Sequence, residues 1–272
     1  PPRSTLFPYT TLFRSGKVKQ VPEIHKNVAV VILAAGKGTR MKSDKAKVLH
    51  EINSRPMISY VVACAKEIAG DNVVVLVGHQ AEIVRTAVSK IAGNVIFALQ
   101  KKQLGTGHAV MCAIPHIKKH VNEVVILCGD TPLITLRTIE SLLSDHVRAK
   151  RDLTVLAAKT DNPFGYGRIV LDERGNVTGI VEEADATQEQ KKIKIVNSGI
   201  YCVSMPFLSK SLKNIRSENA QSEFYLTDII EIGYKGKKAL GVTIEDCFEE
   251  ISGVNTMEQL QKIETIMRQR QG

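Results

Sequence analysis

From Asn27 to Lys159 the sequence alternates short, almost wholly apolar runs with amphipathic segments, and this rhythm constrains the fold more than any other feature. The runs are NVAVVIL (27–33), NVVVLVG (72–78), NVIFALQ (94–100), EVVILCGD (123–130) and DLTVLAAK (152–159). They are rich in β-branched residues and apolar at successive positions, which predicts central parallel strands covered on both faces. Between them lie MISYVVACAKEIA, AEIVRTAVSKIA, TGHAVMCAIPHIKK and LRTIESLLSDHVRAK, whose apolar residues recur at helical spacing. The alternation predicts an α/β, Rossmann-like, mostly parallel twisted sheet with helices on both faces. Ligands of such sheets bind beyond the carboxyl ends of the strands.

The second half changes texture. GYGRIVLDERGNVTGIVEEAD holds two short alternating runs joined by ERGN, a hairpin signal. VNSGIYCVS and ALGVTIED read as strands, FYLTDIIEIGYKG as a helix, and TMEQLQKIETIMRQR as a closing amphipathic helix. No proline-rich linker or low-complexity tract separates the halves. Residues 21–272 are expected to form one domain, with a smaller β-rich part built over one side of the first sheet. Residues 1–20 have neither structural period and repeat the triplet TLF, so a non-native or disordered segment is expected there. They lack the continuous apolar stretch of a signal peptide.

Composition excludes some functions. The formal net charge is +9, but Arg3, Arg14, Lys17 and Lys19 of the foreign-looking segment supply four of those charges. The remaining basic excess suits small anionic substrates as well as nucleic acid. Aromatic residues are 5% of the chain and tryptophan is absent, which leaves little to stack on bases. No apolar run reaches the roughly 20 residues that span a bilayer. The five cysteines (Cys64, Cys112, Cys128, Cys202, Cys247) form no close pair and read as reduced, packed thiols of a cytoplasmic protein. His116 and His120 have metal-compatible helical spacing, but their lysine-rich setting favours a solvated helix end.

The turns carry the chemistry. After the first run comes LAAGKGTRM (33–41), which matches neither the P-loop nor the dinucleotide fingerprint. What remains is Gly-x-Gly-x-Arg followed by Lys45, Lys47 and His50. Glycines let backbone N–H groups approach phosphate oxygens, Arg40 offers a planar fork and Lys47 a point charge. A tight strand-to-helix turn with solvated bases explains the same residues. Asp130, in LCGDTPLI, stands directly after a buried strand, where it could hold Mg²⁺ or cap the next helix. In LQKKQLGTGHA the Gly105-Thr106-Gly107 turn could read a base or sugar, or Thr106 could cap a helix. Asn255, in SGVNTMEQL, sits where an asparagine is usually a cap.

LAAGKGTRM, KAKVLH, QLGTGHA, GDTPLI, GYGRIV, VTGIVEE, VNSGIY, FYLTDII and GVNTMEQL occur in one family's order. From about Val28 to Arg268 the chain resembles the N-terminal pyrophosphorylase domain of the bifunctional bacterial N-acetylglucosamine-1-phosphate uridylyltransferase/glucosamine-1-phosphate acetyltransferase. The resemblance implies a nucleotide-diphospho-sugar transferase fold and a Mg²⁺-dependent reaction of UTP with N-acetylglucosamine 1-phosphate, giving UDP-N-acetylglucosamine and pyrophosphate. It assigns Leu33, Ala34, Ala35 and Gly36 to the nucleoside and Arg40 and Lys47 to catalysis at the triphosphate. It assigns Gln100, Gly105 and Thr106 to the uracil, and Asp130 and Asn255 to Mg²⁺. Gly167, Glu182, Asn197 and Thr227 fall where the family holds the amino sugar and its phosphate. No nucleic-acid or membrane partner is implied.

The sequence departs from the family in three places. Cys128 replaces a common tyrosine before Gly-Asp, and Thr256 replaces a second asparagine after Asn255. The family's hexapeptide repeats, which build the acetyltransferase domain and its trimer, are not in this sequence. A fragment or a stand-alone pyrophosphorylase is therefore expected, with acetyl transfer unassigned and homo-oligomerisation left open. A silent nucleotide-sugar sensor is the competing reading, against which the intact Arg40, Lys47, Asp130 and Asn255 set speaks.

Overall fold

The computed structural model describes residues 26–271. The expectations for residues 1–20 lie outside the described residues. The elements in chain order begin with β1 (Val28–Ala34), the short β2 (Glu51–Ile52) and β3 (Arg55–Pro56), then α1 (Met57–Ala69) and β4 (Val73–Val77). There follow α2 (Ala81–Ile91), β5 (Ile96–Leu99), α3 (Thr106–Ala113), β6 (Glu123–Cys128), α4 (Leu136–Arg148) and β7 (Leu153–Lys159). The second half adds β8 (Arg168–Leu171), β9 (Val177–Val181), β10 (Ile195–Ser204), α5 (Met205–Ser211), α6 (Asp228–Lys235), β11 (Leu240–Glu245), α7 (Phe248–Ile251) and α8 (Met257–Gln271).

The main sheet runs β11-β7-β10-β6-β1-β4-β5. Strands β5, β4, β1 and β6 are mutually parallel, while β10 is antiparallel to both its neighbours, β6 and β7. The uniformly apolar strands are explained by two cores. Val28, Val30 and Ile32 of β1 face one, with α1, α2 and α4; Ala29 and Val31 face the other, with α3, α5 and α6. Each fully buried valine or isoleucine contributes roughly 1.5–3 kcal/mol, so a charge at Val31 would disrupt the second core at its centre. The doubly wound α/β sheet is as expected.

Three details differ from expectation. The second half does not lie over the sheet but completes it: β10 inserts between β6 and β7, and the β8–β9 hairpin joins through a single pairing of Arg168 with Val196. The reason is that β10 is apolar enough to be a central strand. The helix expected over 106–119 ends at Ala113, and Pro115 belongs to a 3-10 turn, Ile114–His116. Proline cannot donate to a continuing helix, so His116 and His120 do not share a helical face. The helix expected from Phe224 starts at Asp228, because the preceding backbone is tied elsewhere: Phe224 N–H donates to Leu104 O at 2.8 Å, and Gly107 N–H to Phe224 O at 2.7 Å. No helix among the described residues is long and apolar enough to cross a membrane.

Candidate active site

The carboxyl ends of β1 and β6 are adjacent, with Leu33 paired to Cys128 and Gly129 N–H donating to Leu33 O at 2.9 Å. The turn after β1 supplies Arg40 and the next supplies Lys47; the turn after β6 supplies Asp130. Lys47 Nζ forms an ion pair with Asp130 Oδ2 and donates to Asn255 Oδ1 at 3.1 Å. Arg40 donates to the same Asn255 oxygen at 2.8 Å. Asp130 O in turn accepts from Val254 N–H at 2.8 Å. Four residues from distant parts of the chain thus meet around one carboxylate and one amide oxygen. Two hard oxygens converging on a single cation is a donor set that fits Mg²⁺, which takes one or two protein oxygens beside phosphate.

Each capping alternative is settled by the structure. Thr135, not Asp130, caps α4, accepting from Thr138 N–H. Gly105 occupies the N-terminal position of α3, while Thr106 Oγ1 accepts from Leu226 N–H at 3.0 Å. Thr256 caps α8, its Oγ1 accepting from Gln259 N–H at 3.2 Å. Gln259 Oε1 accepts in return from Thr256 N–H at 3.2 Å and from Asn255 N–H at 2.7 Å. This is a reciprocal capping box, and it releases the Asn255 side chain toward Lys47 and Arg40. The departure at Thr256 therefore keeps a good capping residue in place.

The residues assigned to the nucleotide form a second group. Ala35 O accepts from His79 N–H at 3.0 Å and from Gln103 Nε2 at 3.4 Å, so the strand end is held from behind. Gln100 is buried, and its amide nitrogen donates to Gly105 O at 3.1 Å. Gly105 has φ +103, and a Cβ there would lie 2.6 Å from Phe224 O, so the turn is locked onto the segment before α6. A Cβ on Gly36, by contrast, would meet no heavy atom within 4 Å.

The residues assigned to the sugar form a third group. Asn197 N–H donates to Gly167 O at 2.9 Å, and Thr227 Oγ1 donates to Glu182 Oε1 at 3.1 Å. A Cβ at Gly167 would stand 3.3 Å from Glu182 Oε2 and 3.5 Å from Asn197 Cβ. Burial raises the Glu182 carboxyl above its ordinary value, an effect opposed by the Thr227 hydrogen bond. Cys128 joins this group to the first: its thiol donates to Gly199 O at 3.5 Å, and burial together with the Asp130 charge pushes its pKa up to about 12. A thiol so placed is a packing group and not a nucleophile.

Some contributors had no local signal. Tyr166 packs edge-on against Phe248, with centroids 5.5 Å apart. Burial raises its hydroxyl while a hydrogen bond from Ser252 opposes that, and the charges of Asp130 and Arg40 both reach it. Arg168 is fully buried, pairs with Glu183 at 2.7 Å and donates to the Tyr166 carbonyl, fixing the GYG turn. Gln80 holds the Lys47 turn from across the sheet edge, accepting from Ala46 N–H at 2.8 Å and donating to Asp44 O at 2.7 Å. Only the Thr256-x-x-Gln259 box had a readable sequence signature.

The sequence profile of the family described as the MobA-like NTP transferase domain matches residues 30–193. A protein of Trichlorobacter lovleyi named bifunctional protein GlmU is 46% identical over 89% of this chain and 52% of its own length. Its namesakes in Pelobacter propionicus (47%; 90% and 53%) and Acetivibrio thermocellus (46%; 88% and 51%) are similar. The chain spans about half the length of these relatives. A solved structure of a candidate glucose-1-phosphate thymidylyltransferase from Bacillus anthracis, in complex with a sucrose, superposes with TM-score 0.66 at 21% identity. It covers 89% of this chain and 95% of its own, a likeness of fold.

Proposed function

We propose, because the chain belongs to the MobA-like NTP transferase domain family, that it transfers UMP from UTP to N-acetyl-α-D-glucosamine 1-phosphate, releasing pyrophosphate and forming UDP-N-acetylglucosamine. The observation that carries this reading is the convergence of Arg40, Lys47, Asp130 and Asn255 beyond the carboxyl ends of β1 and β6. Phosphoryl-group chemistry of this kind asks the protein for positioning and charge neutralisation rather than a covalent intermediate.

The phosphate oxygen of the sugar attacks the α-phosphorus of UTP in line, and pyrophosphate leaves from the opposite side. Leu33, Ala34, Ala35 and Gly36, with Gln100, Gly105 and Thr106, hold the nucleoside. Arg40 and Lys47 neutralise the charge that grows on the departing pyrophosphate. Asp130 and Asn255 would hold Mg²⁺, which when bound screens phosphate charge. Gly167, Glu182, Asn197 and Thr227 place the amino sugar. The substrates are small and anionic, which agrees with the basic turns and with a cytoplasmic setting.

The test is pyrophosphate release by the purified chain. UTP with N-acetylglucosamine 1-phosphate is expected to give the fastest release, against glucose 1-phosphate and against other nucleoside triphosphates. Faster release with another sugar or base moves the specificity while keeping the reaction. Silence with every sugar phosphate ends the enzyme reading and favours a sensor.

A further inference from the structure

We propose that Lys47 competes with the divalent cation for Asp130 and Asn255, so the cation binds tightly only once a di- or triphosphate has drawn the ammonium away. The inference deepens the reading above, which assigns these residues to nucleotide transfer.

Both oxygens of the donor set already serve this chain's own cations. Lys47 Nζ pairs with Asp130 Oδ2 and donates to Asn255 Oδ1 at 3.1 Å, and Arg40 donates to that same oxygen at 2.8 Å. An ammonium and a divalent ion drawn to the same two oxygens oppose one another, because the like charges would stand only a few ångströms apart in a partly screened site. Occupancy by one therefore weakens the other. The ion pair is mostly shielded, with 18% of the lysine side chain and 15% of the aspartate exposed, so it persists against solvent better than a surface pair.

The geometry says how the lysine leaves. A Cβ at Gly38 would overlap Lys47 Cβ and stand 3.2 and 3.3 Å from its Cγ and Cδ, so the stem lies against the Gly38 backbone as far as Cδ. Only the last bonds need rotate to move the ammonium from the two oxygens to a phosphate held by the Gly36–Arg40 turn. Phosphate therefore supplies Lys47 and Arg40 with new partners and uncovers the cation's ligands in one step. Such coupling is reciprocal by linkage: phosphate favours the cation as much as the cation favours phosphate.

The test uses the full chain with Mn²⁺ as the probe and no nucleotide, sugar or phosphate present, and reads bound Mn²⁺ by electron paramagnetic resonance. Lys47→Met is expected to bind Mn²⁺ at least about tenfold tighter than the wild type, a factor equal to about 1.4 kcal/mol. Lys47→Arg keeps a cation at the carboxylate and stays as weak as the wild type. Asp130→Asn added to Lys47→Met is expected to remove the gain. Lys47→Gln serves as the neutral variant if Lys47→Met does not melt cooperatively. Equal or weaker binding by the neutral variant, or a gain that survives Asp130→Asn, overturns the proposal. Because no substrate enters the assay, failure here leaves measured turnover intact, and absence of turnover leaves this result readable.

Discussion

The two glycines of the first turn look equivalent in sequence, and the structure predicts opposite consequences for changing them. Gly38 has φ +68, and a Cβ there would overlap Lys47 Cβ. An L residue in the left-handed region costs roughly 1–2 kcal/mol. The stiffer unfolded chain of the alanine variant offsets about 0.4–1 kcal/mol of that. Relieving the overlap also requires Lys47 to retreat by about 1 Å to reach carbon–carbon contact distance. Gly38→Ala is therefore expected to lose about 1–2 kcal/mol, a fall in Tm of about 2–8 °C for a domain of this size. Catalysis should suffer more, since misplacing a positioning group by about 1 Å can cost a hundredfold. Gly36→Ala meets nothing within 4 Å, so the stiffer unfolded chain is unopposed and its Tm should stay at or slightly above the wild-type value. The proposed nucleotide position implies a rise in the KM for UTP, because the methyl group would intrude there. The assays are calorimetric melting and pyrophosphate release at varied UTP. A Gly38→Ala enzyme with unchanged kcat, or a Gly36→Ala enzyme that loses stability and not UTP affinity, would refute the reasoning.

Three further outcomes are expected. Asp130→Ala should lower metal-dependent pyrophosphate release by at least about a hundredfold while leaving the circular dichroism spectrum unchanged, since Asp130 stands in a turn beyond the strand; near-normal release would remove it from the site. Gln259→Leu takes the acceptor from Asn255 N–H and Thr256 N–H, at a cost of about 1 kcal/mol, and should weaken Mg²⁺ dependence several-fold; an unchanged Mg²⁺ titration would show that Asn255 is held without it. Burial, with Glu231 and Asp185 nearby, pushes the Asp228 carboxyl up to about 6. Its folded pKa thus lies above the unfolded value of about 3.9, so the fold binds the proton more strongly and loses stability as pH rises from about 4 to 6. Asp228→Asn should raise Tm at pH 8 and leave it unchanged at pH 4; an equal gain at both would rule out the charge as its cause.

The half of the site on the parallel strands was legible because its residues follow apolar runs directly. Arg40 and Asp130 come within a few residues of β1 and β6, and a strand end in a doubly wound sheet is a ligand position by topology. The place of β10 was not legible. Its sequence reads as a buried strand, but nothing local says that it runs antiparallel between β6 and β7, which is decided by long-range pairing. Asn255 was ambiguous for a related reason. It lies 208 residues from Lys47 and 215 from Arg40 in sequence, and only the hydrogen bonds between Thr256 and Gln259 show that the cap is Thr256 and that the Asn255 side chain is left for other partners. Gln80 and Tyr166 act through the fold alone, one across the sheet edge and the other through an aromatic contact with Phe248.

A small third core explains how residues so far apart keep ångström tolerances. Met41, next to Arg40, is buried with Leu133, three residues beyond Asp130, and with Val254, next to Asn255. Leu260, Ile263 and Met267 of α8 complete the cluster, with Ile52 and Met57 beneath. The turns that carry Arg40, Asp130 and Asn255 thus each contribute one apolar side chain to a shared packing unit, while Ala46, Val48 and Leu49 around Lys47 pack in the first core of the sheet. Val254 N–H ties two of these turns through Asp130 O. Charged side chains in turns have little intrinsic reason to hold one geometry, since each loses rotamer freedom in doing so. Close packing of the neighbouring apolar residues supplies that reason, because interiors tolerate little displacement. This cluster is separate from the two cores of the sheet, so the order of the site depends on α8 more than the order of the sheet does.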